Sequence, residues 1–217
     1  MEQQRFDFLK ERAKEMAKRT GACKEGFKRL IESKNFGEFC SVMQQYWTDI
    51  LQMLKKDDWN FLYAAYPMYK EDFNRCGIWF NESTDNGKAI VTEGSGYIFG
   101  GNAKVWSYNE SLCTVMDKAI ITAFDQSEIT VTGNARAQTF DYVVVQAADR
   151  SKVNLNGLSS VDAYDACTIT AGDRSTVIAH SWNQITAVGE ADVFAPSKYK
   201  IKILGQAKLT LKKPEEL

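Results

Sequence analysis

From Gly87 to Pro214 apolar and polar positions alternate on an eight-residue rhythm, sixteen octads without a gap. Ala119–Gln126 (AIITAFDQ), Ser159–Ala166 (SSVDAYDA), Cys167–Arg174 (CTITAGDR) and Ser175–Trp182 (STVIAHSW) show the pattern. Ala or Ser stands first, Val or Ile third and Ala often fifth, with polar or variable residues between them. That period of two is a strand with one buried face. Positions six to eight hold turn formers. The seventh is Asp, Gly, Asn or Ser, residues that tolerate the backbone of a sharp corner. Strand and corner repeated at fixed length spell a solenoid, in which each coil buries its inward face on the next.

Ladders of equivalent residues set the expected number of octads per coil. At a spacing of 24 residues the seventh positions sort into an acidic column (Asp117, Asp141, Asp165), a second acidic column (Asp125, Asp149, Asp173) and a glycine-rich one (Gly133, Gly157, Gly205). A large side chain at mid-strand with small ones beside it suits a triangular section. The expectation is a right-handed three-sided parallel β-helix of 24 residues per coil and about five coils, its hand taken from the chirality of parallel crossovers.

Residues 1–80 read differently. Apolar positions recur three and four apart, which predicts helices. One spans about Glu2 to Arg19 with Phe6, Leu9, Ala13 and Met16 on a stripe, closed by Gly21; a short one covers Lys24 to Glu32. A third is expected from about Phe36 to Lys55 on Phe39, Met43, Tyr46, Trp47, Ile50, Leu51 and Leu54. A fourth starts near Trp59 with Asp57 or Asp58 as cap, and a last begins at Pro67 and closes at Gly77. The fold class is therefore α+β: a helical N-terminal domain (1–80), expected to cap one open end, followed by the β-helix (87–214). The final YKIKILGQAKLTLKKPEEL places Lys200, Lys202, Lys212, Lys213 and Pro214 where they block pairing at the other end.

Composition narrows the function classes. A net charge of −1 gives no global argument for nucleic acid or membranes, so neither is expected as a partner. Residues 1–76 carry 14 Lys+Arg against 12 Asp+Glu, a balance that solvated helix faces explain. The N-terminus lacks the apolar core of a signal peptide. Five scattered cysteines (Cys23, Cys40, Cys76, Cys113, Cys167) include no CxxC pair and point to a reducing cytoplasm. Cys113 and Cys167 fall on inward positions of the octad.

Candidate chemistry rests on the six corner aspartates. Stacked carboxylates can bind Ca²⁺, form a sugar-cleaving pair, or imitate a phosphate column. They also satisfy sharp corners by bonding to backbone, and Gln126, Arg150, Arg174 and Lys198 stand beside them. The corner role is preferred, with no catalytic residue, cofactor or metal assigned. His180 is the single histidine, which excludes a multi-histidine metal site, and it reads as exposed and incidental. No P-loop, HExxH, GxSxG or strand-linked GxGxxG motif occurs. Of the outward positions, one wall is expected to carry Lys104, Glu128, Lys152 and Lys200. Another carries Ile98, Ile120, Val144 and Phe194, and this apolar wall is the predicted docking surface for the chain's own helices or a second subunit.

The octads SSVDAYDA and AIITAFDQ (AxVxAYDx) resemble the short-repeat β-helix proteins of bacterial and mobile-element genomes. The resemblance covers the repeat and implies the solenoid fold; it brings no catalytic residues. The repeat is also distantly similar to the polymer-forming bactofilins, which lack such an N-terminal helical domain. The expected function is a non-enzymatic scaffold or protein-interaction module, with a protein partner or self-association. The alternatives are a carbohydrate-binding or carbohydrate-cleaving β-helix using the Asp ladders, and an acidic mimic or inhibitor of a mobile element. No small-molecule ligand is identifiable from the residues.

Overall fold

The computed structural model describes residues 2–21 and 24–217, so Cys23 lies outside the described residues. The chain forms two compact units that divide between Phe80 and Asn81.

The first unit holds α1 (Glu2–Thr20), α2 (Lys24–Glu32), α3 (Phe36–Gln45), α4 (Trp47–Lys56), α5 (Asn60–Arg75) and the short strand β1 (Ile78–Phe80). Phe6, Leu9, Ala13 and Met16 of α1 are all buried on one stripe. The Gly21 amide, at φ 64°, donates to the Ala17 carbonyl and ends that helix. Asn35 and Glu38 cap α3 reciprocally: Asn35 Oδ1 accepts from the Glu38 amide at 2.9 Å, and Glu38 Oε2 from the Lys34 amide at 2.8 Å.

The single helix expected over Phe36–Lys55 is two helices. The chain breaks at Tyr46 (φ −104°, ψ 32°), whose ring packs on Gly26 of α2. One hydrophobic pattern runs through the break because both pieces bury it in the same core, through Phe39 and Met43, then Ile50, Leu51 and Leu54. The two helices expected around Pro67 run on as α5 but meet at a kink, which falls at Tyr69 (φ −123°, ψ 19°), two residues past the proline. Arg5 meets this irregular turn. Its guanidinium donates to the Met68 carbonyl at 2.5 Å, and the Tyr69 hydroxyl donates to the Arg5 carbonyl. Most of the unit's aromatics make core: Trp47, Trp59, Tyr66, Tyr69 and Phe73 are buried, and Phe36 meets Phe73 edge-on at 5.1 Å.

The second unit contains sixteen strands: β2 (Lys88–Val91), β3 (Tyr97–Phe99), β4 (Lys104–Ser107), β5 (Leu112–Val115), β6 (Ile120–Ala123), β7 (Glu128–Val131), β8 (Arg136–Thr139), β9 (Val144–Ala147), β10 (Lys152–Leu155), β11 (Ser160–Ala163), β12 (Thr168–Ala171), β13 (Thr176–Ala179), β14 (Gln184–Ala187), β15 (Asp192–Ala195), β16 (Ile201–Ile203) and β17 (Lys208–Leu211). Even-numbered strands form one parallel sheet in the order β2-β4-β6-β8-β10-β12-β14-β16. Odd-numbered strands form the other, β3-β5-β7-β9-β11-β13-β15-β17. Lys152 pairs with Thr168 and Ser160 with Thr176, so the register advances 16 residues per coil.

The parallel β-solenoid of the sequence reading is present, but its section is corrected. It has two sheets, 16 residues per coil and about eight turns in place of three sides, 24 residues and about five; its hand differs as well. The crossover rule rests on a long connection packing back over a twisted sheet. Here each strand reaches the opposite sheet through a corner of four or five residues. Small residues at positions one and five do not require a triangle, because they are needed beside any tight corner and a flat two-sheet section also has such corners. Position three of both sheets supplies the middle of the core, as with Ile121, Val153 and Ile169 facing in from one sheet and Val145, Val161 and Val177 from the other. All six are at most 1% exposed. Full burial of each such side chain is worth about 1.5–3 kcal/mol.

Fully buried serines at position one complete the corners. The Ser127, Ser159 and Ser175 hydroxyls donate to the carbonyls three residues earlier, on Phe124, Asn156 and Gly172. Cys113 and Cys167 are buried at inward positions. Burial pushes the Cys113 thiol up to about 11 and raises Cys167 in the same direction. Native chain at pH 8 is therefore expected to leave both thiols unalkylated by iodoacetamide, while the half-buried Cys76 reacts; peptide mapping by mass spectrometry checks this. The Cys113 contribution to stability is fully present below the ordinary thiol value and is lost as the pH climbs from there towards 11, since only the unfolded thiol ionises in that window.

Candidate functional site

The corners are where the sequence put the chemistry, and the backbone explains their composition. Every aspartate in question has a left-handed φ: 59° at Asp117, 60° at Asp125, 66° at Asp141, 61° at Asp149, 55° at Asp165 and 50° at Asp173. Gly133, Gly157 and Gly189 occupy equivalent positions at φ 66–70°. Asp, Asn and Gly are the residues that enter this region at least cost.

The 16-residue register redistributes the two acidic ladders. One corner carries Asp125, Asp141 and Asp173; the other carries Asp117, Asp149 and Asp165. Within each corner the carboxylates share one task. Asp117 accepts the amide N–H of Gly101, Asp125 that of Asn109, Asp141 that of Asp125, Asp149 that of Gly133, Asp165 that of Asp149, and Asp173 that of Gly157. The distances run from 2.8 Å at Gly133 to 3.3 Å at Asp125. In all six the donor is the seventh-position residue one coil earlier. Charge-assisted bonds of this kind are stronger than neutral ones. Where glycine replaces aspartate it packs on the preceding coil instead: a Cβ added to Gly157 would lie 2.9 Å from both the amide nitrogen and the carbonyl oxygen of Asp141. Among the described residues no cluster of three or more His, Cys, Asp or Glu is arranged to hold a metal ion.

The corner is longer than the octads alone indicate. Asp85 lies one coil before Gly101, its carbonyl accepts the Asn102 amide at 2.9 Å, and the Gly87 carbonyl accepts the Lys104 amide at 2.8 Å. The polar stretch Asn81–Asn86 thus begins the solenoid, with Thr84 bridged to Phe99.

His180 is not incidental. It is half-buried, its Nε2 lies 3.2 Å from Asp162 Oδ1, and its ring stacks on Tyr164 at 4.5 Å. Tyr164 precedes it by one coil at the same sixth position. A longer aromatic stack, Tyr108–Phe124–Phe140 at 4.9 and 5.2 Å, lines the opposite corner in the same way.

The outer walls are also re-sorted. Ile98, Val144 and Phe194 lie on the odd-stranded sheet, with Glu128, whereas Ile120 lies on the even-stranded sheet with Lys104 and Lys152, and Lys200 sits in the turn just ahead of β16. The four predicted docking residues therefore do not form one surface. On the odd-stranded wall Ile98 (51% exposed) pairs with Thr114 of the next strand, Val144 (46%) stands between Glu128 and Ser160, and Phe194 pairs with Ile178 under the Lys212 ammonium.

The even-stranded wall is distinguished by charge. Its outward second positions include Lys88, Lys104, Arg136 and Lys152, and the register sets Lys88 beside Lys104 and Arg136 beside Lys152. Burial first, and the neighbouring Lys104 second, hold the Lys88 ammonium below the usual lysine range. The fourth positions form a parallel row of amides and hydroxyls, Thr122, Gln138, Asn154, Thr170 and Thr186. Strands β2 to β16 of this sheet place no Asp or Glu on its outer face. A 24-residue period could not reveal this, because it assigns alternate cations to different walls.

Together these features define a two-sided parallel β-solenoid protein with a helical N-terminal unit. No protein-family model, curated protein or solved structure matches the chain. No helix among the described residues is long and apolar enough to cross a membrane.

Proposed function

We infer that the chain is a non-enzymatic scaffold or interaction module, a β-solenoid whose work is done by its outer walls. The observation that carries this reading is the use of all six corner aspartates as acceptors for backbone amides of the preceding coil. A carboxylate serving as nucleophile or general acid has to meet substrate, and these are engaged along the corner. The same geometry counts against an acidic mimic, which would need its carboxylates gathered on one outward face. Rigid walls with ladders repeating at ~4.8 Å suit the recognition of extended or repeating partners.

The test separates a structural aspartate from a catalytic one. Asp141→Ala removes the acceptor of the Asp125 amide and also leaves an alanine at φ 66°, and is expected to lower stability by about 2 kcal/mol, with Asp141→Asn closer to wild type. A hydrolysis screen over polysaccharides is expected to show no turnover with any of the three proteins. Turnover by wild type that disappears in Asp141→Asn, with the fold intact, would replace this reading with the carbohydrate-cleaving one.

A further inference from the structure

One edge of the even-stranded wall concentrates positive charge. The four consecutive strands β4, β6, β8 and β10 each bring a cation to it: Lys104, then Lys118 just ahead of β6, then Arg136, then Arg150 and Lys152 around the start of β10. All five are exposed, and none forms an ion pair among the described residues. They occupy three strand spacings, ~14 Å. Asp117 and Asp149 share this corner on these coils, with Asp85 one coil before them and Asp165 one coil after, and Asp117, Asp149 and Asp165 each accept a backbone amide. Asp125 and Asp141 lie at the far corner of the same coils. Like charges set directly opposite across a sheet destabilise it, and within the row Arg136 stands directly opposite Lys152, a cost that a bound anion relieves.

The surroundings of the row identify the anion. Beside it, two residues along each strand, runs the hydroxyl and amide row headed by Thr122, Gln138 and Asn154. Single-stranded nucleic acid binds on successive aromatic platforms, and over β4 to β10 the outward positions of this wall hold one aromatic, the half-buried Trp106, with the exposed Trp182 two coils beyond Arg150. Duplex recognition needs an element that enters a groove, which a flat sheet lacks. A protein interface is centred on a desolvated cluster of apolar anchors, and beside Trp106 the strip holds one apolar residue, the exposed Ile120. A straight polymer that presents carboxylates on one side and hydroxyls on the other matches both rows.

We propose that the even-stranded wall binds a linear acidic glycan lengthwise, its carboxylates along Lys104, Lys118, Arg136, Arg150 and Lys152 and its hydroxyls along the Thr122–Gln138–Asn154 row. The proposal rests on the reading of the chain as a non-catalytic binding solenoid and names the partner class for one wall.

The experiment titrates the full chain with polygalacturonate, a neutral linear glucan and a short DNA duplex at low and physiological salt, following binding by calorimetry. Polygalacturonate is expected to bind, with an affinity that falls as salt rises. The Lys104→Ala/Arg136→Ala/Lys152→Ala variant is expected to bind at least ~10-fold more weakly, a loss of ~1.4 kcal/mol. Lys208→Ala/Lys212→Ala, at the end of the other sheet, is expected to bind as wild type. These side chains are exposed, and circular dichroism and melting verify that each variant folds. Absence of polygalacturonate binding, or equal binding by the triple variant, overturns the proposal. DNA binding as tight as polygalacturonate binding at the same salt overturns it in favour of nucleic acid. Shortened polymer in the wild-type mixture would sink the non-catalytic reading, whereas neither binding nor cleavage would sink this proposal alone.

Discussion

Gly157→Ala will destabilise the solenoid by about 3 kcal/mol, measured by urea unfolding of the full chain. Two costs combine. An alanine held at φ 70° pays roughly 1–2 kcal/mol for the left-handed region. Its Cβ also meets the Asp141 backbone at 2.9 Å on two atoms, and backbone gives way only by moving the coil, an overpacking cost of about 1–3 kcal/mol. Gly205→Ala is the internal comparison. It has φ 66°, but its added Cβ would lie 3.5 Å from the nearest atom, the Gly189 amide nitrogen, which is an ordinary contact. It should lose only the first cost. Equal losses at the two positions would show that the close stacking of successive corners contributes nothing.

The second large effect is expected in the helical unit, where Asp57→Ala should cost about 3 kcal/mol. The Asp57 side chain is 1% exposed, and both of its oxygens are engaged. Oδ1 accepts from Arg19 Nε at 2.8 Å and from its Nη2 at 2.7 Å, and Oδ2 accepts the buried Phe61 amide at 2.9 Å. Removing the carboxylate leaves that amide without its acceptor at the start of α5, a penalty of about 1–3 kcal/mol, and releases Arg19. Asp57→Asn keeps an acceptor for one of the two partners and should lose about half as much. Chemical denaturation of the three proteins decides the matter, and an alanine variant within ~0.5 kcal/mol of wild type would mean the bridge between α1 and α5 is incidental.

How legible this arrangement was depends on distance along the chain. Phe6, Leu9, Ala13 and Met16 announce α1 because a helix face is set by residues three and four apart, and Gly21 announces its end. Tyr46 does not announce a break, because the pattern on each side of it is apolar at helical spacing and only the packing of Gly26 against its ring reveals the turn. The inward octad positions were equally plain: Ile121, Val161 and Ile169 alternate with outward residues over a few positions. A signal for the 16-residue coil was also present, in Ala103/Ala119/Ala135, in Ser111/Ser127 with Ser159/Ser175, and in Tyr108/Phe124/Phe140. The sorting of aspartates at 24 residues outweighed it. That sorting was misleading because Asp and Gly are interchangeable at a left-handed corner, one bonding the amide of the coil before and the other stacking on it.

The candidate site followed the same divide. That Asp141 and Asp149 occupy corners could be read from their neighbours, but that each holds the amide of the preceding coil requires knowing which residue lies 16 positions back in space. The cation row depended on it entirely, since Lys104, Arg136 and Lys152 fall on one wall only under the correct coil length.

Sequence alone thus determined the local periods: helices to about residue 80, then strands of fixed length with left-handed corners and small residues beside them. These are set by steric preferences and burial within a few residues. Tertiary structure decided the coil length, the pairing of walls and the task of every corner carboxylate. Those depend on hydrogen bonds between residues a full turn apart, where eight-residue units can close into two sides or three with nearly the same local backbone.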